Sequence, residues 1–242
     1  MRKQVLFLCL ATWLCTLGSV HAQIRYGLKG SFLLASISSD NPLDANIESR
    51  PGFALGGLGE FSLSKNFSVS AELQFSLRGY HYDRSYRGSQ IDYLVPTSVR
   101  LGALRLPVAL AFQTKGFFLS AGPYVGLALF GKAKQLAMDS DHQEFEYDPK
   151  VKFTGSVEPN PDSYDYNKAF LGEYNTGTYP LRRLEAGLLG NLGYGFKKVR
   201  ITGFYDFGLN NTLPEYVRAE QNFAVKNRAF GASVTYFLGI RE

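Results

Sequence analysis

The chain has 242 residues, 45% of them apolar, with 26 basic against 21 acidic side chains and a net charge of +5. That length suits about one domain after any leader is removed, and the basic residues are scattered rather than clustered, which argues against nucleic acid as a partner. The two cysteines, Cys9 and Cys15, both fall in the first segment of the chain and supply no disulfide or metal site beyond it.

That segment reads MRKQVLFLCLATWLCTLGSVHAQ, with Arg2 and Lys3 ahead of an apolar run from Val5 to Leu17 and the small-residue site Val20-His21-Ala22. The pattern is that of a secretory signal peptide, residues 1–22, cleaved after Ala22; the run is too short for a helix that spans a membrane, which needs roughly 20 residues. Leu14 is too bulky for Cys15 to act as a lipoprotein acceptor. Cleavage leaves residues 23–242 as one domain with 24 bases against 21 acids, a net charge of +3. Beyond the leader no apolar run approaches 18 residues, which excludes a helical membrane protein but not a barrel.

Eight segments with a period of two follow: Ile24 to Ser36, Gly52 to Leu63, Phe67 to Tyr80, Val99 to Gln113, Phe117 to Gly131, Leu184 to Phe196, Val199 to Asn210 and Arg228 to Ile240. The third shows the period most clearly. Phe67, Val69, Ala71, Leu73, Phe75 and Leu77 alternate with Ser68, Ser70, Glu72, Gln74, Ser76 and Arg78, so one face is apolar and the other polar. Each segment can cross a bilayer as a tilted strand of 9 to 11 residues. The connections alternate too. Ser64-Lys65-Asn66, Thr114-Lys115-Gly116 and Lys197-Lys198 are short, whereas the other four run about 15, 18, 52 and 17 residues. Short turns on one side and long polar loops on the other predict an all-β, eight-stranded antiparallel up-and-down transmembrane barrel, with periplasmic turns and extracellular loops, in a Gram-negative outer membrane. Phe61, Phe67, Phe112, Phe117 and Phe196 cluster at the short turns, where an interfacial girdle belongs.

In such a barrel the apolar face meets lipid and the polar face lines the lumen. Carrying the alternation around the strands places Lys29, Glu60, Glu72, Arg78, Arg105, Glu185, Arg200 and Asp206 inside, four acids with four bases. Buried charges persist only when paired, and an eight-stranded interior is just wide enough to be filled by side chains. The expectation is a neutral ion-pair network that plugs the lumen, with Gly27, Ser31, Gly56, Ser70, Gly122, Gly126, Gly187, Gly193, Gly208 and Gly231 leaving room for the long charged chains.

The run Arg105-Leu106-Pro107-Val108-Ala109-Leu110-Ala111-Phe112, a short turn, and Ala121-Gly122-Pro123-Tyr124-Val125-Gly126-Leu127 resemble the central hairpin of the PorT-like outer-membrane barrel family of Bacteroidetes. Leu184-Glu185-Ala186-Gly187-Leu188 with Gly190 and Gly193, and Gly208-Leu209-Asn210-Asn211, resemble its last third. Glu185 stands where the family usually has Asp, and the chain ends Gly239-Ile240-Arg241-Glu242, with Tyr236 and Phe237 the nearest aromatics. The resemblance implies a barrel in the outer membrane, and named members of the family are associated with protein secretion and gliding.

An enzyme of the lipid A acylase or deacylase type needs a His paired with Ser, Asp or Glu at the outer rim. Only His81 and His142 lie beyond the leader, and the plainer reading of His81 is a solvated loop histidine. The acidic run from Met138 to Glu144 lacks the spacing and glycine of a calcium loop. No catalytic residue, metal or cofactor is expected. The third long loop, Lys132 to Arg183, is rich in rings, and Tyr147, Tyr164, Tyr166, Tyr174 and Tyr179 are candidates for contact with a partner; they can equally fold onto the barrel mouth, or the strands can continue above the membrane as a hairpin. The expected function is non-enzymatic: the barrel sits among outer-membrane lipid and lipopolysaccharide and binds a protein partner or ligand through its loops, in secretion or envelope assembly. A rim enzyme acting on lipid and a narrow pore are the alternatives.

Overall fold

A computed structural model of the chain describes residues 24–40, 44–87, 92–138, 144–154, 178–214 and 224–238. Residues 1–22, expected from the sequence to be a signal peptide, lie outside them. The described residues form β1 (Ile24–Ser39), β2 (Asp44–Ser62), β3 (Phe67–Arg87), β4 (Asp92–Thr114), β5 (Phe117–Met138), β6 (Glu144–Tyr147), β7 (Lys150–Thr154), β8 (Thr178–Arg182), β9 (Leu184–Gly195), β10 (Val199–Gly208) and β11 (Val225–Phe237). Eight of these, β1 to β5 and β9 to β11, pair in antiparallel order around a ring. β5 pairs with β9 across the long insertion, and β11 returns to β1 with Gly27 opposite Phe237. The barrel is closed, so no edge of the wall is left unpaired.

Alternation decides which side each residue takes. Along β1, Tyr26, Leu28 and Phe32 point out and are 59%, 59% and 60% exposed, while Arg25, Leu33 and Ala35, of the opposite parity, are buried inside. The tight turn from β4 to β5 has positive φ at both central residues, Lys115 and Gly116, which matches the twist of the hairpin it joins. Inward glycines answer to the backbone as much as to the charged side chains. A side-chain carbon at Gly122 would fall on the carbonyl oxygen of Val108, and one at Gly193 on that of Ile201, so neighbouring strands approach each other too closely there for any other residue.

The strands run further than the alternation does. β3 and β4 hold 21 and 23 residues, and their pairing continues up to Arg87 opposite Asp92. The first two long connections therefore shrink to 40–43 and 88–91. Outside a bilayer neither strand face must be apolar, so pairing continues where the side-chain signal stops. The third connection is also partly sheet. β5 extends to Met138 and pairs with β6, while β7 lies parallel to β8.

At this far end the barrel interior turns apolar. Tyr80, Tyr82, Val99, Leu101, Ala133, Tyr179, Leu181 and Leu213 form one buried cluster, against which the partly buried Val151 and Phe153 of β7 pack. The Tyr82 and Tyr179 hydroxyls lie 2.9 Å apart. Asn211 holds the segment carrying Leu213 in place, its Oδ1 accepting from the backbone N–H of Leu213 and of Val225, both at 3.0 Å.

Candidate functional site: the charged lumen and the outer rim

The lumen charges come from six different strands, and strand tilt brings them together in successive levels. Nearest the short turns, Glu60 is 1% exposed and bridges two guanidinium groups, Arg25 at 2.9 Å and Arg200 at 2.8 Å. Arg200 also donates to Gln113 at 3.1 Å and lies 3.7 Å from the centre of the Phe118 ring, while Arg25 sits 4.0 Å from that of Phe237. Above them Lys29 binds both oxygens of Glu72, at 3.0 and 3.2 Å, and the Gln74 amide donates to the same carboxylate. Arg105 pairs with Asp206 at 2.6 Å over the Tyr124 ring. Arg78 pairs with Glu185, which also accepts from the Tyr124 hydroxyl at 2.6 Å.

All eight lumen charges read from the sequence line this interior, and each has an opposite charge in contact. Arg25 is a ninth member that the sequence reading left out. It shares the parity of Gly27 and Lys29, so alternation carried to the first residues of the strand finds it. With Arg25 counted, five bases meet four acids, and the bridging Glu60 serves two of them. Four acids with four bases is therefore corrected, and the described network carries a charge of +1. Spaces of about 20 and 10 Å³ lie on either side of the Lys29–Glu72 pair, each enough for about one water.

At the rim His81 is more than a solvated loop histidine. It lies on β3 directly opposite Ser98 of β4. Its Nδ1 is 2.8 Å from Ser98 Oγ and its Nε2 3.3 Å from Asp83 Oδ1, with the His81 side chain 19% exposed. Arg50 donates to Ser98 Oγ at 2.9 Å, and Asn46 to Asp83 Oδ2 at 3.0 Å. Sequence spacing missed this group because Ser98 arrives from the neighbouring strand.

Of the loop tyrosines, Tyr164, Tyr166 and Tyr174 lie outside the described residues, as does His142. Tyr147 closes β6 opposite Gln135. Tyr179 is buried in the mouth cluster, so it packs the barrel and offers no free ring to a partner, which corrects its place among the contact candidates. Among the described residues no three His, Cys, Asp or Glu side chains converge as a metal site would require.

Residues 19–213 match the family model described as outer membrane protein beta-barrel domain. The chain belongs to this family. A search of curated proteins returns no match. Among solved structures, the chain is similar to Ail, the attachment invasion locus protein of Yersinia pestis, at 10% identity and a TM-score of 0.42, covering 88% of this chain and 98% of that one. It is also similar to the outer membrane protein OprG from Pseudomonas aeruginosa, at 12% identity, 90% and 97% coverage and a TM-score of 0.44. A third is the outer membrane protease OmpT from Escherichia coli, at 12% identity, 90% and 96% coverage and a TM-score of 0.39. At these identities and scores they assign no activity.

As a member of the outer-membrane barrel family, this protein sits in the outer membrane, with the apolar outer wall against lipid. Phe61, Phe67, Phe117 and Phe196 form an exposed girdle at the short turns, with Phe67 5.2 Å from Phe112. Phe53, Phe130, Phe207 and Phe230 are exposed towards the other end, with Phe130 6.3 Å from Phe75. Two aromatic rows with apolar wall between them mark the two membrane interfaces.

Proposed function

We propose that this outer-membrane barrel is a closed, non-enzymatic envelope protein that binds a protein partner or ligand through its extracellular extensions, in secretion or envelope assembly. The observation that carries this reading is the filling of the interior: paired charges occupy the membrane-level lumen and the apolar cluster occupies the mouth. Transport through the centre is disfavoured, and the hairpins beyond the membrane offer the accessible surface. The hairpin of β4 and β5, with Arg105 to Phe112 and Ala121 to Leu127, supports a place among the PorT-like barrels of Bacteroidetes within the wider family. A photocrosslinking residue at Tyr164 or Tyr174, with adducts identified by mass spectrometry from intact cells, tests it. One specific protein adduct is expected. Steady porin-like conductance in planar bilayers would overturn the closed lumen, and the absence of any adduct would remove the loop as the contact.

A second reading has its own observation. Ser98 and His81 are arranged so that His81 can take the Ser98 proton, with the Asp83 carboxylate 3.3 Å from the other ring nitrogen without a hydrogen bond to it, which suits acyl transfer from a lipid ester at the outer rim. A fluorophosphonate probe applied to the folded protein separates the two readings. Labelling that disappears in Ser98→Ala favours the rim enzyme, and an unlabelled protein excludes a serine nucleophile.

A further inference from the structure

We infer that the outer face of β4, β5 and β7, just above the membrane, binds phosphate groups of outer-leaflet lipids. Arg100 of β4 stands directly opposite Lys132 of β5, and Lys132 directly opposite Lys150 of β7. Three cations thus occupy neighbouring positions across three strands, and Lys152 follows on the same face of β7. All four are exposed. Like charges placed directly opposite destabilise a sheet, and strand spacing of about 4.8 Å puts about 10 Å between the outer two.

The described residues offer this row no internal counter-charge. None of the four has a carboxylate partner among them, and Asp148, the described acid on β7's side, lies 3.9 Å from Lys134. Glu146 and Glu144 of β6 stand opposite Leu136 and Met138, further from the membrane than Lys132, and Asp92 of β4 stands opposite Arg87; Asp40, Asp44, Glu48 and Asp83 belong to β1, β2, β3 and their connection. Every cation of the lumen contacts an acid, because burial requires it. The row at the rim can be left unpaired because an external anion can approach it.

Height identifies the anion. Gly102 pairs with Phe130, and the next outward pair above it is Arg100 with Lys132. Phe130 is 52% exposed in the aromatic row that marks the interface. The cations therefore stand at the level of lipid headgroups on the outer wall of the barrel, away from its mouth. A soluble polyanion would be better served by charge on the tips of the hairpins. The inference rests on the outer-membrane placement and is independent of the loop-partner reading.

The test uses folded, purified protein in detergent micelles doped with bisphosphorylated lipid A, with fully dephosphorylated lipid A, or with inorganic phosphate alone. Bound lipid is counted by native mass spectrometry. The parent should bind the bisphosphorylated form, more weakly as salt rises, and the dephosphorylated form hardly at all. Replacing Arg100, Lys132 and Lys150 together by Gln should weaken binding about a hundredfold, since each basic residue near an anionic lipid surface contributes about fivefold. Replacing Lys65, Lys115 and Lys197 at the short turns by Gln removes the same charge and should leave binding unchanged. In lipid-free micelles the rim variant should melt no lower than the parent, because repulsion is relieved. Equal binding by parent and rim variant, or equal binding of the phosphorylated and dephosphorylated forms, overturns the proposal. Displacement of bound lipid by millimolar inorganic phosphate overturns the lipid as ligand. The comparison of lipids needs the parent alone, so a rim variant that fails to fold leaves a decisive result.

Discussion

The lumen and the outer rim carry the same kinds of side chain under opposite rules. Inside, Arg25, Lys29, Arg78, Arg105 and Arg200 each contact an acid, and Glu60 holds two of them at once. Outside, Arg100, Lys132 and Lys150 stand side by side. Desolvation explains the difference: a charge withdrawn from water costs several kcal/mol unless an opposite charge meets it, whereas an exposed one keeps its hydration. Charge inside this barrel is therefore part of the fold, whereas the row of Arg100, Lys132 and Lys150 stays in reach of water.

The largest break in that comparison should come at Glu60. Glu60→Leu leaves Arg25 and Arg200 facing each other without their shared carboxylate, and should cost about 5 kcal/mol in a urea titration of the folded, heat-modifiable band. A variant as stable as the parent would mean that water reaches both guanidinium groups. Glu72→Leu should cost less, about 3 kcal/mol, because one cation, Lys29, loses its partner instead of two, together with the neutral Gln74 amide. The double variant Lys29→Met with Glu72→Leu sharpens the point. It should recover most of that loss, since removing both charges leaves no buried ion unpaired and only the neutral Gln74 amide without its acceptor.

Smaller effects belong to the extracellular end. Exchanging Ala137 to Thr178 for a short Gly/Ser linker deletes β6 and β7, and with them the packing of Val151 and Phe153 on the mouth cluster. The barrel should still assemble, with a lower melting temperature corresponding to about 2 kcal/mol, as loop closure depends weakly on length. Failure to assemble would show that β7 belongs to the folding unit. Tyr179→Phe should cost the least, about 1 kcal/mol, by depriving Tyr82 of its hydroxyl partner. Thermal melting followed on a gel reads both.

Much of the wall could be read directly. From Phe67 to Arg78 each side chain takes the face that parity assigns, because a strand has no other way to place successive side chains. Parity also gave the inward charges, and applied from the first residue it would have given Arg25. Partners were another matter. Arg200 and Glu60 are 140 residues apart and meet because strand tilt offsets their positions around the ring. Ser98 escaped notice beside His81 for a related reason: the two face each other only once the register of β3 and β4 is set. The mouth cluster was hidden because Tyr179, Leu181 and Leu213 lie in or beside long connections with no sustained alternation.

What the sequence determined by itself was the side of the wall on which each strand residue stands, and from that the barrel, its lipid-facing surface and its inward charges. These depend on a repeat of two residues, which is local and needs no knowledge of the rest of the chain. Only the tertiary structure decided which acid meets which base, how far the hairpins rise above the membrane, and that Arg100, Lys132 and Lys150 form one row. Those depend on register and tilt, quantities shared between strands, and no single strand contains them.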